Sequence, residues 1–230
     1  MQIRGNLSRV VTMHDFVRRG DTFYRVHGDG VLQTLKFRKE PVGYATYVLG
    51  VGLQSMYAEL SPQMFTSQGS VQQYTIVNIA GQKLIPNWSK SALAFVEFQL
   101  DILKSEGLIW LDCIKTQQQL SEAFVKLDNV EGDTIWNDEN KIVPYLRSGE
   151  FENAQKVIGS ILEQHRTADY YNRTYTSRLQ RQRYIQLRTQ EDAKLEQLLK
   201  MILAKDTTAV HRYLMANYLR NVQHAQFCMG

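Results

Sequence analysis

The stretch DTFYRVHGDGVLQTLKFRK, residues 21–39, decides how the first third of the chain folds. Residues 21–27 have the aromatic and β-branched character of a strand. Gly28, Asp29 and Gly30 follow, and glycine and aspartate accept the positive φ of a tight hairpin turn. In the return segment, residues 31–39, Val31, Leu35 and Phe37 fall on one face and Thr34, Lys36 and Arg38 on the other. This period of two is what a half-buried antiparallel strand requires. A third strand is expected over residues 44–60, with Tyr47, Leu49, Val51 and Leu53 on one face. Gly50 and Gly52 share the opposite face and leave room for a close neighbour. Residues 71–79 read as a fourth strand with weaker alternation.

Beyond the sheet the punctuation changes. Nine of the fourteen glycines precede residue 82, and from residue 160 to residue 229 there is neither glycine nor proline. Long runs without these breakers favour helix. Helices are expected over residues 89–105 and 116–127. The acidic, asparagine-bearing stretch 129–140 is expected to be partly loop. Residues 142–147 and 150–164 form a helical hairpin turning at Ser148 and Gly149. Two further helices close the chain. Leu195, Leu198, Leu199, Ile202 and Leu203 share a face of the first, and Asp206, Thr207 and Thr208 supply short capping side chains for the second. In the last helix an apolar arc of Val210, Leu214, Met215, Tyr218, Leu219 and Val222 encloses His211, which is read as packed and hydrogen-bonded. The expected fold is α+β: an N-terminal antiparallel sheet of about four strands (residues 20–80) covered by helices (88–165), followed by a basic all-helical extension (166–230) ending in a helical hairpin.

Residues 18–25, RRGDTFYR, and residues 31–39, VLQTLKFRK, resemble a bacterial family, domain of unknown function 4304. Members open with a basic-Gly-x-x-Phe-Tyr-Arg strand, followed by one ending in Phe-Gln-Lys-Ser. Here Arg38 stands for the usual glutamine and Glu40 for the usual serine. The resemblance covers residues 10–165. It implies a small intracellular α+β domain suited to interaction, including toxin–immunity or defence settings, and carries over no catalytic residue.

Charge locates the candidate surfaces. Residues 166–230 contain eleven Lys/Arg and five Asp/Glu, a balance of +6, whereas residues 1–165 balance at −2. Over residues 172–190, Arg173, Arg178, Arg181 and Arg188 fall with Tyr184 on one arc of a helical wheel, leaving Arg183 out. Arginines so spaced suit a phosphate backbone, and an interleaved tyrosine suits base stacking. The same arginines equally suit acids of the first domain or of a second subunit. Glu131, Asp133, Asp138 and Glu139 gather in the acidic stretch, a candidate docking site for a basic partner.

No metal or cofactor is expected. His224 and Cys228 are one helical turn apart without a third ligand nearby, and neither glycine pair matches a phosphate loop. Two distant cysteines, no signal-peptide core at the N-terminus and no apolar run of about 18 residues fit a cytoplasmic protein without a membrane partner. The leading functional expectation is a non-enzymatic interaction protein whose partner is another protein, with self-association a further option. Nucleic-acid binding through residues 172–190 is the alternative, and an enzyme whose site is assembled from distant residues is the third reading.

Overall fold

A computed structural model describes residues 2–39, 47–60, 65, 74–75, 92–131, 138–166 and 178–226. The chain opens with helix α1 (Gln2–Val11) and a single 3₁₀ turn (Thr12–His14). Five strands follow: β1 (Val17–Arg19), β2 (Thr22–Val26), β3 (Val31–Lys39), β4 (Tyr47–Ser55) and β5 (Tyr74–Thr75). They form one antiparallel sheet in the order β1-β2-β3-β4-β5. The expected hairpin is present, with Gly30 at φ +72° in its turn. Register pairs Leu35 with Phe23 and Val51, and Phe37 with Leu49, so the odd positions of β3 lie beside those of β4 on one face.

The helical part comprises α2 (Ala92–Ile102), α3 (Leu108–Asp112), α4 (Gln117–Glu131), α5 (Glu139–Arg147), α6 (Phe151–Arg166), α7 (Arg178–Leu203) and α8 (Thr207–Ala225). A π-helical turn, Leu103–Gly107, joins α2 to α3. The fold is α+β with a helical C-terminal part, as the pattern of breakers implies. Both closing hairpins are found, and Asp206 caps α8 by accepting from the Ala209 amide at 2.9 Å.

Each face of the sheet feeds a core. Val31, Leu35, Leu49, Val51 and Leu53 pack with Leu7 and Val11 of α1, Phe95 and Leu100 of α2, and Leu120 and Phe124 of α4. On the other face Tyr24 and Leu32 join Met56, Tyr57, Leu60, and the apolar stripes of α5, α6, α7 and α8. A division at residue 165 therefore marks a change of composition, while Leu195, Leu198, Ile202, Val210 and Leu214 share a core with the sheet. Gly50 and Gly52 are both buried.

Several local readings are corrected. α1 and β1 lie outside the elements read from sequence. β1 is a three-residue edge strand with all three residues exposed, and its Arg18 and Arg19 discourage further strand pairing. Of the stretch 129–140, the residues up to Glu131 belong to α4 and Glu139 and Asn140 to α5, while 132–137 lie outside the described residues. Of the expected fourth strand only Tyr74 and Thr75 lie among the described residues, and they form β5. His211, Leu203 and Leu219 are exposed, because the buried stripe of the closing hairpin is narrower than a half-wheel.

The turn of the first hairpin touches both layers. The Asp29 carboxylate accepts from the first amide of α4, Gln117 N, at 2.8 Å, while the Gln117 side chain donates to the Asp29 carbonyl at 2.8 Å. On the opposite side, a Cβ on Gly30 would meet the Tyr57 ring at 2.8 Å and the Tyr218 ring at 3.3 Å. Those rings stack on each other with centroids 4.7 Å apart. Gly30→Ala is expected to cost about 1–3 kcal/mol in urea unfolding, from left-handed strain and overpacking. Gly28→Ala, with nothing within 4 Å of the added Cβ, serves as the control; equal effects at the two positions would contradict the close-contact account.

Candidate functional site

Three consecutive polar residues at the start of α5, Asp138, Glu139 and Asn140, are all buried. Each reaches a different part of the fold. Arg188 Nη1 on α7 donates to Asp138 Oδ2 at 2.5 Å and to Glu191 Oε2 at 3.0 Å. His165, in the last turn of α6, places Nε2 3.2 Å from Asp138 Oδ2 and Nδ1 2.6 Å from Asp192 Oδ1. Burial pushes the Asp138 carboxyl up, but the His165 hydrogen bond and the Arg188 charge outweigh it and hold Asp138 below its ordinary value. Burial likewise pushes His165 down, and its bonds to Asp138 and Asp192 bring it above the usual histidine value. Glu191 is raised by burial and then by the neighbouring Asp138 charge.

Glu139 faces the other way. Its Oε1 accepts from the Tyr213 hydroxyl at 2.5 Å and from Asn217 Nδ2 at 3.4 Å, and its Oε2 accepts from the Glu59 amide at 3.2 Å. Burial raises both the Glu139 carboxyl and the Tyr213 phenol. Asn140 Oδ1 accepts from Ser55 N, at the end of β4, at 3.1 Å. One turn further along α8 from Asn217, Asn221 Nδ2 donates to the carbonyls of Met56 and Ala58 at 2.8 and 2.7 Å. Asn217 Nδ2 also reaches the Tyr57 carbonyl at 3.2 Å. Above this, Glu59 forms an ion pair with Lys194 and lies 3.8 Å from Arg220.

This arrangement corrects the surface reading of Arg188, Asp138 and Glu139. Arg188 is 3% exposed and Asp138 7%. One arginine of the basic arc, Arg188, meets one acid of the acidic stretch, Asp138, inside the chain. Of the other candidates, Arg178, Arg181 and Tyr184 belong to α7, and Glu131 closes α4. Arg173 and Asp133 lie outside the described residues, as does Cys228; His224 stacks on Phe65 at 6.2 Å.

A second polar network occupies the opposite core. Gln33, fully buried, donates to the Leu111 and Ile114 carbonyls, both at 2.8 Å, and so satisfies backbone acceptors at the end of α3. Gln33 Oε1 accepts from Arg25 Nε and Nη2 at 3.0 and 2.6 Å. Arg25 Nη1 donates to Asp112 Oδ1 at 2.5 Å, and its guanidinium lies 4.4 Å from the Phe16 ring centroid. Asp112 Oδ2 in turn lies 3.2 Å from His14 Nδ1. Burial raises the Asp112 carboxyl, but the bond and charge of Arg25 leave it below the usual value. His14 stands at the edge of a hollow of about 570 Å³ between α1 and α2, where Val10, Leu100 and Leu108 form an apolar floor. The chain of contacts fixes the orientation of that imidazole and leaves Nε2 without a hydrogen bond among the described residues.

A larger cleft, of about 720 Å³, lies where the tips of the two helical hairpins meet. Phe151, Met201, Ile202 and Val210 give it an apolar lining, and Glu150, Glu152, Asp206 and Lys205 give it a polar one with an acidic balance. Sequence reading identified both hairpins, but the cleft arises from their juxtaposition. No described group of three His, Cys, Asp or Glu side chains is arranged to hold a metal ion, and no described helix is long and apolar enough to cross a membrane. No protein-family model, curated protein or solved structure matches the chain.

Removing Arg188 takes away the one permanent cation that the described residues set against the buried Asp138 carboxylate, leaving it to His165. Arg188→Met is accordingly expected to lower unfolding free energy by about 3–5 kcal/mol, with part recovered in Arg188→Met/Asp138→Leu. Urea titrations measure both. A loss within about 0.5 kcal/mol, as for a surface arginine, would contradict the buried assignment.

Proposed function

We propose that the chain is a non-enzymatic, cytoplasmic interaction module that binds another protein through the cleft at the hairpin tips. The observation that carries this reading is the cleft itself: apolar Phe151, Met201, Ile202 and Val210 beside Glu150, Glu152 and Asp206. An apolar lining with acidic residues suits a basic peptide segment carrying one large apolar anchor. The anchor would supply burial energy, and the charges would supply orientation and association rate. The family resemblance of residues 10–165 belongs to the same proposal. It suggests a partner in a toxin–immunity or defence setting, and a phage-defence or regulatory component is part of the same reading.

The nucleic-acid reading draws support from the continuity of α7, which is helical from Arg178 onward and carries Arg181 and Tyr184 on successive turns. With Arg188 engaged by Asp138 and Glu191, this reading retains Arg173, Arg178 and Arg181. Three phosphate contacts to a single strand would give a log–log salt slope of roughly −2.

Amide chemical-shift titration discriminates the two. A basic amphipathic peptide with a central leucine or phenylalanine is expected to perturb residues 149–153 and 201–207, and an acidic peptide of the same pattern is not. Glu152→Lys should weaken the interaction roughly two- to fivefold, the range for one exposed charge pair. Equal binding of the acidic peptide would refute the cleft reading. Single-stranded DNA binding at low salt with a slope near −2, perturbing residues 178–187 instead, would favour the alternative.

A further inference from the structure

We propose that His165, held as an imidazolium between Asp138 and Asp192, is a pH-released latch that fastens the middle of α7 to α5 and α6. The geometry sets the protonation state. Both ring nitrogens face carboxylate oxygens, at 3.2 and 2.6 Å, and carboxylates accept but do not donate when ionised. Only the doubly protonated ring satisfies both. Its side chain is 4% exposed, so a lone pair turned toward either carboxylate would have little water to relieve it. Position in the last turn of α6 adds the favourable end of the helix dipole for a cation.

Among the described residues, charged groups facing the ring come from two other elements. Asp138 arrives from the start of α5; Asp192, Arg188 and Glu191 arrive from α7. Arg188 disfavours the imidazolium, while Asp138 and Asp192 favour it, and the balance lies above the ordinary histidine value. The sign follows. A raised value in the folded chain means that the latch contributes fully below about pH 6.5 and loses its contribution as pH rises through the raised value.

What the latch holds is local. Past it, Leu195, Leu198 and Ile202 anchor α7 in the core at any pH. Ahead of Leu195, Arg188 is the one buried side chain among those described, while Gln182, Ile185 and Gln186 are exposed. Release therefore weakens the attachment of α7 around residues 185–193, where the Arg188–Asp138 pair remains, without unfolding the closing hairpin. This inference does not rest on the hairpin-tip cleft.

Hydrogen exchange of the intact chain tests it, comparing amides 186–193 with amides 198–202 after correction for intrinsic rates. Between roughly pH 6 and pH 9, protection of the first group is expected to fall about tenfold relative to the second for each unit by which the latch raises His165. His165→Gln, which serves one carboxylate at most, should give a ratio that does not change with pH. Should that variant fail to fold, Asp192→Asn removes one of the two negative charges facing the ring and should lower the pH midpoint, read directly from the His165 imidazole resonances. A constant ratio in the unmodified chain would overturn the latch, as would an unshifted His165 midpoint in Asp192→Asn.

Discussion

The backbone of residues 56–58 has to leave the sheet without access to water. It is the constraint on which the C-terminal architecture depends. Met56, Tyr57 and Ala58 are nearly or fully buried, and three of their carbonyls turn away from the strands. Asn217 and Asn221 of α8 supply donors to all three, and Glu139 accepts from the Glu59 amide. Met56 itself donates back to the Gly30 carbonyl at 2.8 Å. An unmade backbone hydrogen bond in such a place costs about 1–3 kcal/mol, so the segment is stable only with α8 and α5 in position. That requirement makes the last helix part of the sheet's support.

The same requirement accounts for the run of Asp138, Glu139 and Asn140. Successive helical residues point about 100° apart, so three neighbours can address three partners. Asp138 meets α6 and α7, Glu139 meets α8 and the exit of β4, and Asn140 meets Ser55. Buried ion pairs of this kind add little net stability over well-packed apolar groups but make wrong arrangements expensive. Their position at the junction of five elements suits a role in selecting one packing of the helices. It also moves charge that looked available to partners, on Arg188, Asp138 and Glu139, into the interior.

Legibility in the sequence follows this physics. Residues 21–39 were readable because β2, its turn and β3 obey local rules: alternation, glycine and aspartate at the turn, and a sheet face that stays apolar. The two helical hairpins were readable for similar reasons, from breakers and a capping aspartate. Gln33 was not, since a polar residue on an apolar face becomes intelligible only when Arg25 and the carbonyls of Leu111 and Ile114 are seen around it. Arg188 shows the limit of a helical wheel. Sharing an arc with Arg178 and Arg181 says nothing about which elements face the arc, and Asp138 lies fifty residues away in sequence. His211 failed differently: the wheel placed it among apolar neighbours, but α8 turns its Asn217–Asn221 edge inward, where backbone carbonyls await donors.

The central claim is that sheet and C-terminal helices form one cooperative structure joined at residues 56–59 and 138–140. Native-state hydrogen exchange across a urea series tests this most directly, by comparing the slowest amides of β3, at Leu32–Leu35, with those of α8, at Leu214–Asn221. The account expects both sets to merge at the same opening free energy with the same urea dependence, as parts of one global unfolding unit. If the α8 amides instead exchange through a separate opening of lower free energy and smaller urea dependence, while β3 stays closed, the C-terminal helices are an appendage and the account is wrong.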